Sequence, residues 1–183
     1  MASSPEFPTT FFFTSRDFRN NTILSASDDV MYTIETEGPV GWFTDARVTN
    51  VYRPSRAWPD LKELVATIEW ESGKSGRIEL GEITYELNDI FHRKPWRKAR
   101  TMDTPYGVCK WTSKCELHDG SGRLLVTYNS NQQFYWRKDD SSLSVASDAL
   151  PYLDKIILGW MVMMRDNEHR HKTAADAGRP YRE

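Results

Sequence analysis

The stretch LPYLDKIILGWMVMM, from Leu150 to Met164, decides the fold of this chain. From Ile156 to Met164 every residue is apolar or glycine, so a helix here is hydrophobic on all sides and has to be buried in protein or in lipid. A membrane span needs about 20 apolar residues, whereas this run is shorter and is preceded by Asp154 and Lys155. We therefore predict a core helix over Ala149–Asp166, capped by Ser147 or Asp148.

Composition places the chain among ordinary globular proteins. It has 183 residues, 39% of them hydrophobic, and a formal net charge of -2, which disfavours a nucleic-acid binder. We expect one domain over residues 1–168 and a polar tail over 169–183. The start of the chain lacks a basic, then apolar, signal pattern, so a cytoplasmic location is expected, with peripheral attachment to a membrane surface as an extension.

Ahead of the helix, short segments alternate between apolar and polar residues and are separated by turns. Lys62–Glu71 is the clearest, because Leu64, Ala66, Ile68 and Trp70 share one face while Glu69 and Glu71 fall on the other. The predicted strands are Thr9–Thr14, Val30–Glu37, Ala46–Tyr52, Lys62–Glu71, Arg77–Leu80, Val108–Thr112, Lys114–His118, Arg123–Tyr128, Gln133–Trp136 and Leu143–Val145.

These segments and the apolar helix predict a mostly β fold. We expect a closed or nearly closed antiparallel β-barrel of about ten to twelve strands around a central hydrophobic C-terminal α-helix. Gly159 would let a strand approach the helix closely. The two cysteines, Cys109 and Cys115, fall in one predicted hairpin and are expected to be reduced and packed.

Several short motifs, taken in order, resemble a large family of fungal domains of unknown function that is grouped with tubby C-terminal-like and LURP-one-like proteins. They are Asn21-Thr22, Met31-Tyr32-Thr33-Ile34, Thr49-Asn50-Val51-Tyr52-Arg53, Ala66-Thr67-Ile68-Glu69-Trp70, Arg100-Thr101, Lys110-Trp111 and Leu153-Asp154-Lys155-Ile156-Ile157. The resemblance implies a β-barrel around a central helix and implies no activity. The related tubby and scramblase-like groups are linked to phosphoinositide or membrane binding, which comes to this chain only by fold-level analogy.

The densest cluster of positive charge runs from Phe91 to Arg100 and interleaves basic and aromatic side chains. Such a loop suits an anionic lipid headgroup or a phosphorylated partner, through charge and an interfacial Trp. A solvated loop and single-stranded nucleic acid are the alternatives. The candidate residues for binding an anionic group are Arg93, Lys94, Trp96, Arg97, Lys98 and Arg100.

A second candidate site lies beside the predicted helix. If the barrel is wider than its helix, the remaining space forms a small-molecule pocket at Trp160, Met161, Met163 and Met164. The sequence contains no nucleophile elbow, phosphate-binding loop or zinc-protease motif. His169 and His171 have no third ligand nearby in sequence, so no metal site and no cofactor are expected.

Three hypotheses for the function follow. The first is a non-enzymatic binding module for anionic lipid headgroups or a phosphorylated partner through the basic-aromatic loop. The second is a small-molecule carrier or enzyme that uses the pocket beside the helix. The third is a protein-interaction scaffold with exposed aromatic residues such as Trp42 and Trp58. The sequence predicts neither a catalytic residue nor an oligomeric state.

Overall fold

Thirteen strands of one antiparallel sheet, and a long C-terminal helix, make up most of the described chain. The computed structural model describes residues 9–38, 47–58, 60–71, 76–93, 98–105, 107–130 and 141–176. The strands are β1 Thr9–Phe13, β2 Asn21–Leu24, β3 Val30–Glu37, β4 Arg47–Pro54, β5 Lys62–Trp70, β6 Arg77–Leu80, β7 Ile83–Glu86, β8 Phe91–Arg93, β9 Arg100–Thr104, β10 Gly107–Trp111, β11 Glu116–His118, β12 Leu124–Asn129 and β13 Ser142–Val145. The helices are α1 Leu87–Ile90, a 3-10 helix Ser147–Tyr152, and α2 Leu153–Asp176.

The sheet is built from two antiparallel meanders. Its order is β7-β6-β5-β4-β3-β2-β1-β13-β12-β11-β10-β9-β8, so the pairing of β1 with β13 joins the two halves. Within the described residues β7 and β8 are the edges, and the single turn of α1 connects them along the chain. The predicted mostly β, antiparallel fold is confirmed. The described strands number thirteen, against the expected ten to twelve.

The strands that the sequence did not predict are short. β2, β7, β8 and β9 have three to five residues each, too few for a period-two pattern to stand out. β8 and the start of β9 fall within the segment that was predicted to be a basic-aromatic loop. The predicted strand Gln133–Trp136 lies outside the described residues.

Helix α2 is buried on every side over its apolar run. All residues from Ile156 to Met163 are buried, as predicted for a helix enclosed by protein. Its ring contacts include Trp160 with Phe13 of β1, whose centroids are 4.4 Å apart. None of the described helices is long and apolar enough to span a bilayer.

The ends of the helix differ from the prediction. The helical region opens with a 3-10 turn whose N-cap is Ala146, without a side-chain cap, rather than Ser147 or Asp148. Helix α2 then continues to Asp176, beyond the predicted end at Asp166. The continuous apolar run ends at Met164. The polar residues 165–176 remain helical because intrinsic helix propensity does not depend on burial.

Polar contacts fix the first turn of α2 against the sheet. The Tyr32 hydroxyl donates to Asp154 Oδ1 over 2.5 Å, and Arg53 Nη1 donates to Asp154 Oδ2 over 2.5 Å. A carboxylate at this position also interacts favourably with the helix dipole. Burial and the neighbouring carboxylate raise the pKa of Tyr32 above its usual value, so this hydroxyl stays a donor.

A β-bulge changes which side chains of β5 face the core. Val51 pairs with Ala66 but the next pair is Tyr52 with Leu64, so Val65 is the extra residue. Ala66, Ile68 and Trp70 are buried as predicted, while Leu64, predicted to point inward, is 52% exposed. The prediction from the apolar–polar alternation is wrong for Leu64, because the inserted residue exchanges the core-facing and solvent-facing sides of the strand at the bulge.

Gly159 is predicted to be required for packing. A Cβ built there would lie 2.5 Å from Trp111 Nε1 and 3.1 Å from Phe91 Cε1. Gly159→Ala gains about 1 kcal/mol of helix propensity, but overpacking costs about 1–3 kcal/mol. We expect a net loss in the free energy of unfolding, measured in urea. Gly120→Ala, whose nearest contact would be 3.7 Å away, is the matched control and should be near neutral. Equal stability of both variants would contradict the close approach.

The β11–β12 turn predicts a pH dependence. Asp119 accepts hydrogen bonds from Ser121 Oγ at 2.6 Å and from the backbone N–H of Arg123 at 3.0 Å. These interactions, led by that of Ser121, lower the pKa of Asp119 to about 2. Because the folded pKa is depressed, the stabilisation is present above the unfolded value and is lost as the pH falls from about 4 to about 2.

Asp119→Asn should therefore flatten the pH dependence of unfolding between pH about 4 and about 2. Unfolding midpoints at several pH values measure this. A wild-type slope in Asp119→Asn would show that the turn does not contribute in this pH window.

Candidate functional site

The basic-aromatic segment predicted from sequence is only partly described. Lys94, Trp96 and Arg97 lie outside the described residues. Arg93 ends β8 and is half exposed, Lys98 is exposed, and Arg100 begins β9. Ligand binding by these residues stays a prediction.

Arg100 is buried and fully engaged. Its side chain is 4% exposed and forms a bidentate ion pair with Asp166 of α2. Nε donates to Oδ2 at 2.7 Å and Nη2 donates to Oδ1 at 3.1 Å. Nη1 donates to Asn88 Oδ1 at 3.0 Å and to the carbonyl oxygen of Phe91 at 2.9 Å. Arg100 thus ties α1, β8 and β9 to the helix.

The second predicted site divides between core and surface. Trp160, Met161 and Met163 are 1% exposed or less and belong to the hydrophobic core. Met164, one residue later, is partly exposed and lines a cleft of about 470 Å³. The pocket role of the first three residues stays a prediction, whereas Met164 lies where a ligand can reach it.

This cleft, called here the α2 cleft, lies between α2 and three parts of the sheet. The connection from β1 to β2, the turn from β10 to β11 and the end of β12 each contribute. Its lining residues are Arg16, Asp17, Phe18, Arg19, Ser113, Lys114, Cys115, Tyr128, Ser130, Met164, Asn167, Glu168 and His171.

Four of the lining side chains supply apolar surface and are buried or half-buried; together they are called here the inner wall of the α2 cleft. They are Phe18, Cys115, Tyr128 and Met164. Tyr128 lies against Trp160, with ring centroids 5.5 Å apart, so an aromatic layer supports this wall. An apolar wall with a few polar groups at the mouth is the usual construction of a small-molecule site.

Three basic side chains line the α2 cleft, of which Arg19 is in ion pairs and the other two are not. Arg19 forms ion pairs with Glu168 and, at 3.8 Å, with Asp17, and its guanidinium lies 4.5 Å from the centre of the Phe18 ring. Arg16 and Lys114 are exposed, and in the described part of the chain neither side chain forms an ion pair. Their charges therefore remain available to an anion at the cleft mouth.

Two sulfur atoms meet at the inner wall. Cys115 Sγ lies 3.9 Å from Met164 Sδ, and Asn167 Nδ2 donates to Sγ over 3.4 Å. Cys115 has φ 58, a left-handed backbone conformation that is unusual for a residue with a side chain. Burial raises the pKa of the Cys115 thiol to about 11. Cys109 and Cys115 are both free and buried, as expected, although Cys115 lies in the turn and not on a strand.

Sequence reasoning did not find most of the α2 cleft. Arg19 and Glu168, which form an ion pair at its edge, are 149 residues apart in the chain. Neither the 16–19 segment nor the Ser113–Lys114 turn carries a local motif. The one usable signal was the predicted space beside the helix, which pointed to Met164.

Comparison with known proteins gives the family of the chain. The sequence model of a family of unknown function, DUF6593, matches residues 16–169. The chain belongs to this family. None of the curated proteins matches it. A protein from Arabidopsis thaliana with a known X-ray structure is similar at 12% sequence identity, covering 85% of this chain and 91% of that chain, with a TM-score of 0.29.

The DUF6593 chain is predicted to need Arg100 for stability. Arg100→Met would leave Asp166, whose side chain is only 17% exposed, without its main partner. Removing one member of a buried pair costs about 3 kcal/mol or more, so the urea midpoint should fall steeply. Arg93→Met is the matched control, because Arg93 is half exposed and 3.9 Å from the same carboxylate; it should change stability by about 0.5 kcal/mol or less. Similar losses in both variants would contradict the specific role of Arg100.

Proposed function

We propose that this DUF6593 protein is a non-enzymatic binding module that holds a small amphiphilic anion in the α2 cleft. The observation that carries the proposal is the combination of an apolar inner wall with two exposed cations, Arg16 and Lys114, that have no ion-pair partner among the described residues. An apolar body would lie against Phe18, Tyr128 and Met164. Its charged group would remain at the rim.

The two cations favour an anion for a physical reason. Arg16 and Lys114 come from separate connections and both line the α2 cleft. We infer that an anionic group held there interacts with both. The guanidinium offers paired N–H donors, which match a carboxylate, sulfonate or phosphate. Because both lie at a wet rim, they contribute selectivity, while the apolar wall contributes most of the affinity.

The chemistry of the lining groups supports binding rather than catalysis. Cys115 is the strongest potential nucleophile at the inner wall, and its raised pKa keeps it a thiol near neutral pH. Among the described residues its hydrogen-bond partners are the thioether of Met164 and the amide of Asn167, and neither group is a general base.

We propose further that the sheet closes around α2 as a barrel, as the resemblance to tubby C-terminal-like proteins implies. The support is that β7 and β8 are joined by the four residues of α1, which is about 6 Å of helix. Helix α2 also contacts strands from both halves of the sheet, including Phe13 of β1 and Trp111 of β10. A cytoplasmic location, with peripheral attachment to membranes, goes with this proposal.

The two other hypotheses remain proposals with less support. In the basic-aromatic segment, Arg93 and Lys98 are the exposed cations among the described residues. A scaffold role would use Trp58, which is 68% exposed, whereas Trp42 lies outside the described residues. Among the described residues, neither surface combines the apolar lining of a cleft with unpaired cations as the α2 cleft does.

Two fluorescent probes test the proposed function. Anilinonaphthalene sulfonate has an apolar body and one anionic group, and phenylnaphthylamine is its uncharged counterpart. We expect one site for the anionic probe, with tighter binding than the neutral probe. The double variant Arg16→Ala/Lys114→Ala should weaken the anionic probe about tenfold or more and leave the neutral probe unchanged.

Matched controls make the result specific. Arg56→Ala/Lys110→Ala removes two exposed cations outside the α2 cleft and should leave both dissociation constants unchanged. Ser130→Trp places an indole at the opening and should exclude both probes. Urea midpoints confirm that each variant is folded, since partly unfolded states also bind such probes. Equal binding of the two probes, or loss in the control pair, would refute an anion site in the cleft.

A further inference from the structure

The inner wall of the α2 cleft contains a pair of soft donor atoms. Cys115 Sγ comes from the β10–β11 turn and Met164 Sδ from α2, and they lie 3.9 Å apart. Both residues line the α2 cleft, where Cys115 is 3% exposed and Met164 is half-buried. The sequence predicted no metal site, and a Cys–Met pair that forms between distant segments has no local spacing that would reveal it.

The separation of the two sulfurs fits one particular coordination geometry. Metal–thiolate bonds are about 2.3 Å long. For an ion at about 2.3 Å from both sulfurs, a separation of 3.9 Å requires an S–metal–S angle of about 115°. This angle is close to that of a trigonal site, in which three donors spread evenly around the ion.

We propose that Cys115 and Met164 form a two-sulfur site for a monovalent soft metal ion, Cu(I), with its third coordination position open to the α2 cleft. Thiolate and thioether donors select Cu(I) over harder ions. Zn²⁺ in a protein site takes four donors in a tetrahedron. In the described ranges no group of three or more His, Cys, Asp or Glu residues is placed to hold a metal ion, which leaves the sulfur pair as the donor set.

The side-chain amide of Asn167 is placed to stabilise a thiolate at Cys115. Asn167 Nδ2 donates to Sγ over 3.4 Å and to the Ser113 carbonyl oxygen over 3.1 Å, so the amide nitrogen is oriented toward the sulfur. An N–H donor stabilises a thiolate more than a thiol. When Cu(I) binds, the S–H bond of Cys115 is replaced by an S–Cu bond and one proton leaves to solvent. No electron is transferred in this step.

The test is an anaerobic titration of the protein with Cu(I), in competition with a coloured Cu(I) chelator, together with the pH change in weakly buffered solution. We expect one ion and one released proton per chain. Met164→Leu removes the thioether at nearly constant volume and should weaken Cu(I) about tenfold or more. Cys115→Ser should abolish both binding and proton release.

Two further variants keep the test decisive. Cys115→Gly also removes the thiol and suits the left-handed backbone, so it serves if Cys115→Ser fails to fold. Cys109→Ser removes the other thiol, which is buried on β10 and has Thr104 as its recorded polar neighbour, and it should bind Cu(I) as the wild type does. Unchanged binding in Met164→Leu or in the Cys115 variants would overturn the proposal. So would loss of binding in Cys109→Ser, or a preference for Zn²⁺ over Cu(I).

The proposed metal site and the proposed anion site can be refuted independently of each other. Arg16→Ala/Lys114→Ala removes neither sulfur donor, so it should keep Cu(I) binding while it loses the preference for the anionic probe. A chain that takes Cu(I) but discriminates poorly between the two probes would refute the proposed function alone.

Discussion

The burial of α2 on every side is the constraint on which the rest of the structure depends. A helix without a polar face between Ile156 and Met163 requires protein around its whole circumference, which a flat sheet on one side does not provide. Contacts therefore come from both meanders: Phe13 and Trp111 pack on the helix from opposite halves of the sheet. Hydrogen bonds and ion pairs from the sheet to Asp154 in the first turn and to Asp166 three turns later fix the position of the helix along its axis. Gly159 gives the room that the Trp111 indole occupies.

The apolar run that imposes this constraint is visible in the sequence, so the buried helix and the mostly β fold around it could be predicted. Nine of the ten predicted strands correspond to β1, β3, β4, β5, β6, β10, β11, β12 and β13, because strands with one buried face alternate visibly. Leu64 shows the limit of that signal, since the bulge at Val65 depends on pairing with β4 and leaves no trace in the alternation of β5 itself. β7 shows another limit, because all of its residues are exposed and no face repeats.

Function depends on information that local sequence lacks. Arg100 and Arg16 are both arginines in polar stretches, yet one is buried against Asp166 and the other is exposed beside a cleft. The difference arises from the partner in space. The densest basic cluster in the sequence thus includes a structural residue, while the exposed cations of the cleft, Arg16 and Lys114, belong to short connections without a motif. Charge density along a chain indicates available charge only after the ion pairs are known.

The α2 cleft follows from a mismatch between the length of the helix and the length of its apolar run. Burial is complete through Met163 and partial from Met164 onward, although the helix continues to Asp176. Past Met164 the sheet covers the helix only in part, and Asn167, Glu168 and His171 fall on the same helical face as Met164, at spacings of three, four and seven residues. That face meets the β1–β2 connection and the β10–β11 turn across open space. The cleft mixes apolar and polar groups because it lies where the hydrophobic core ends.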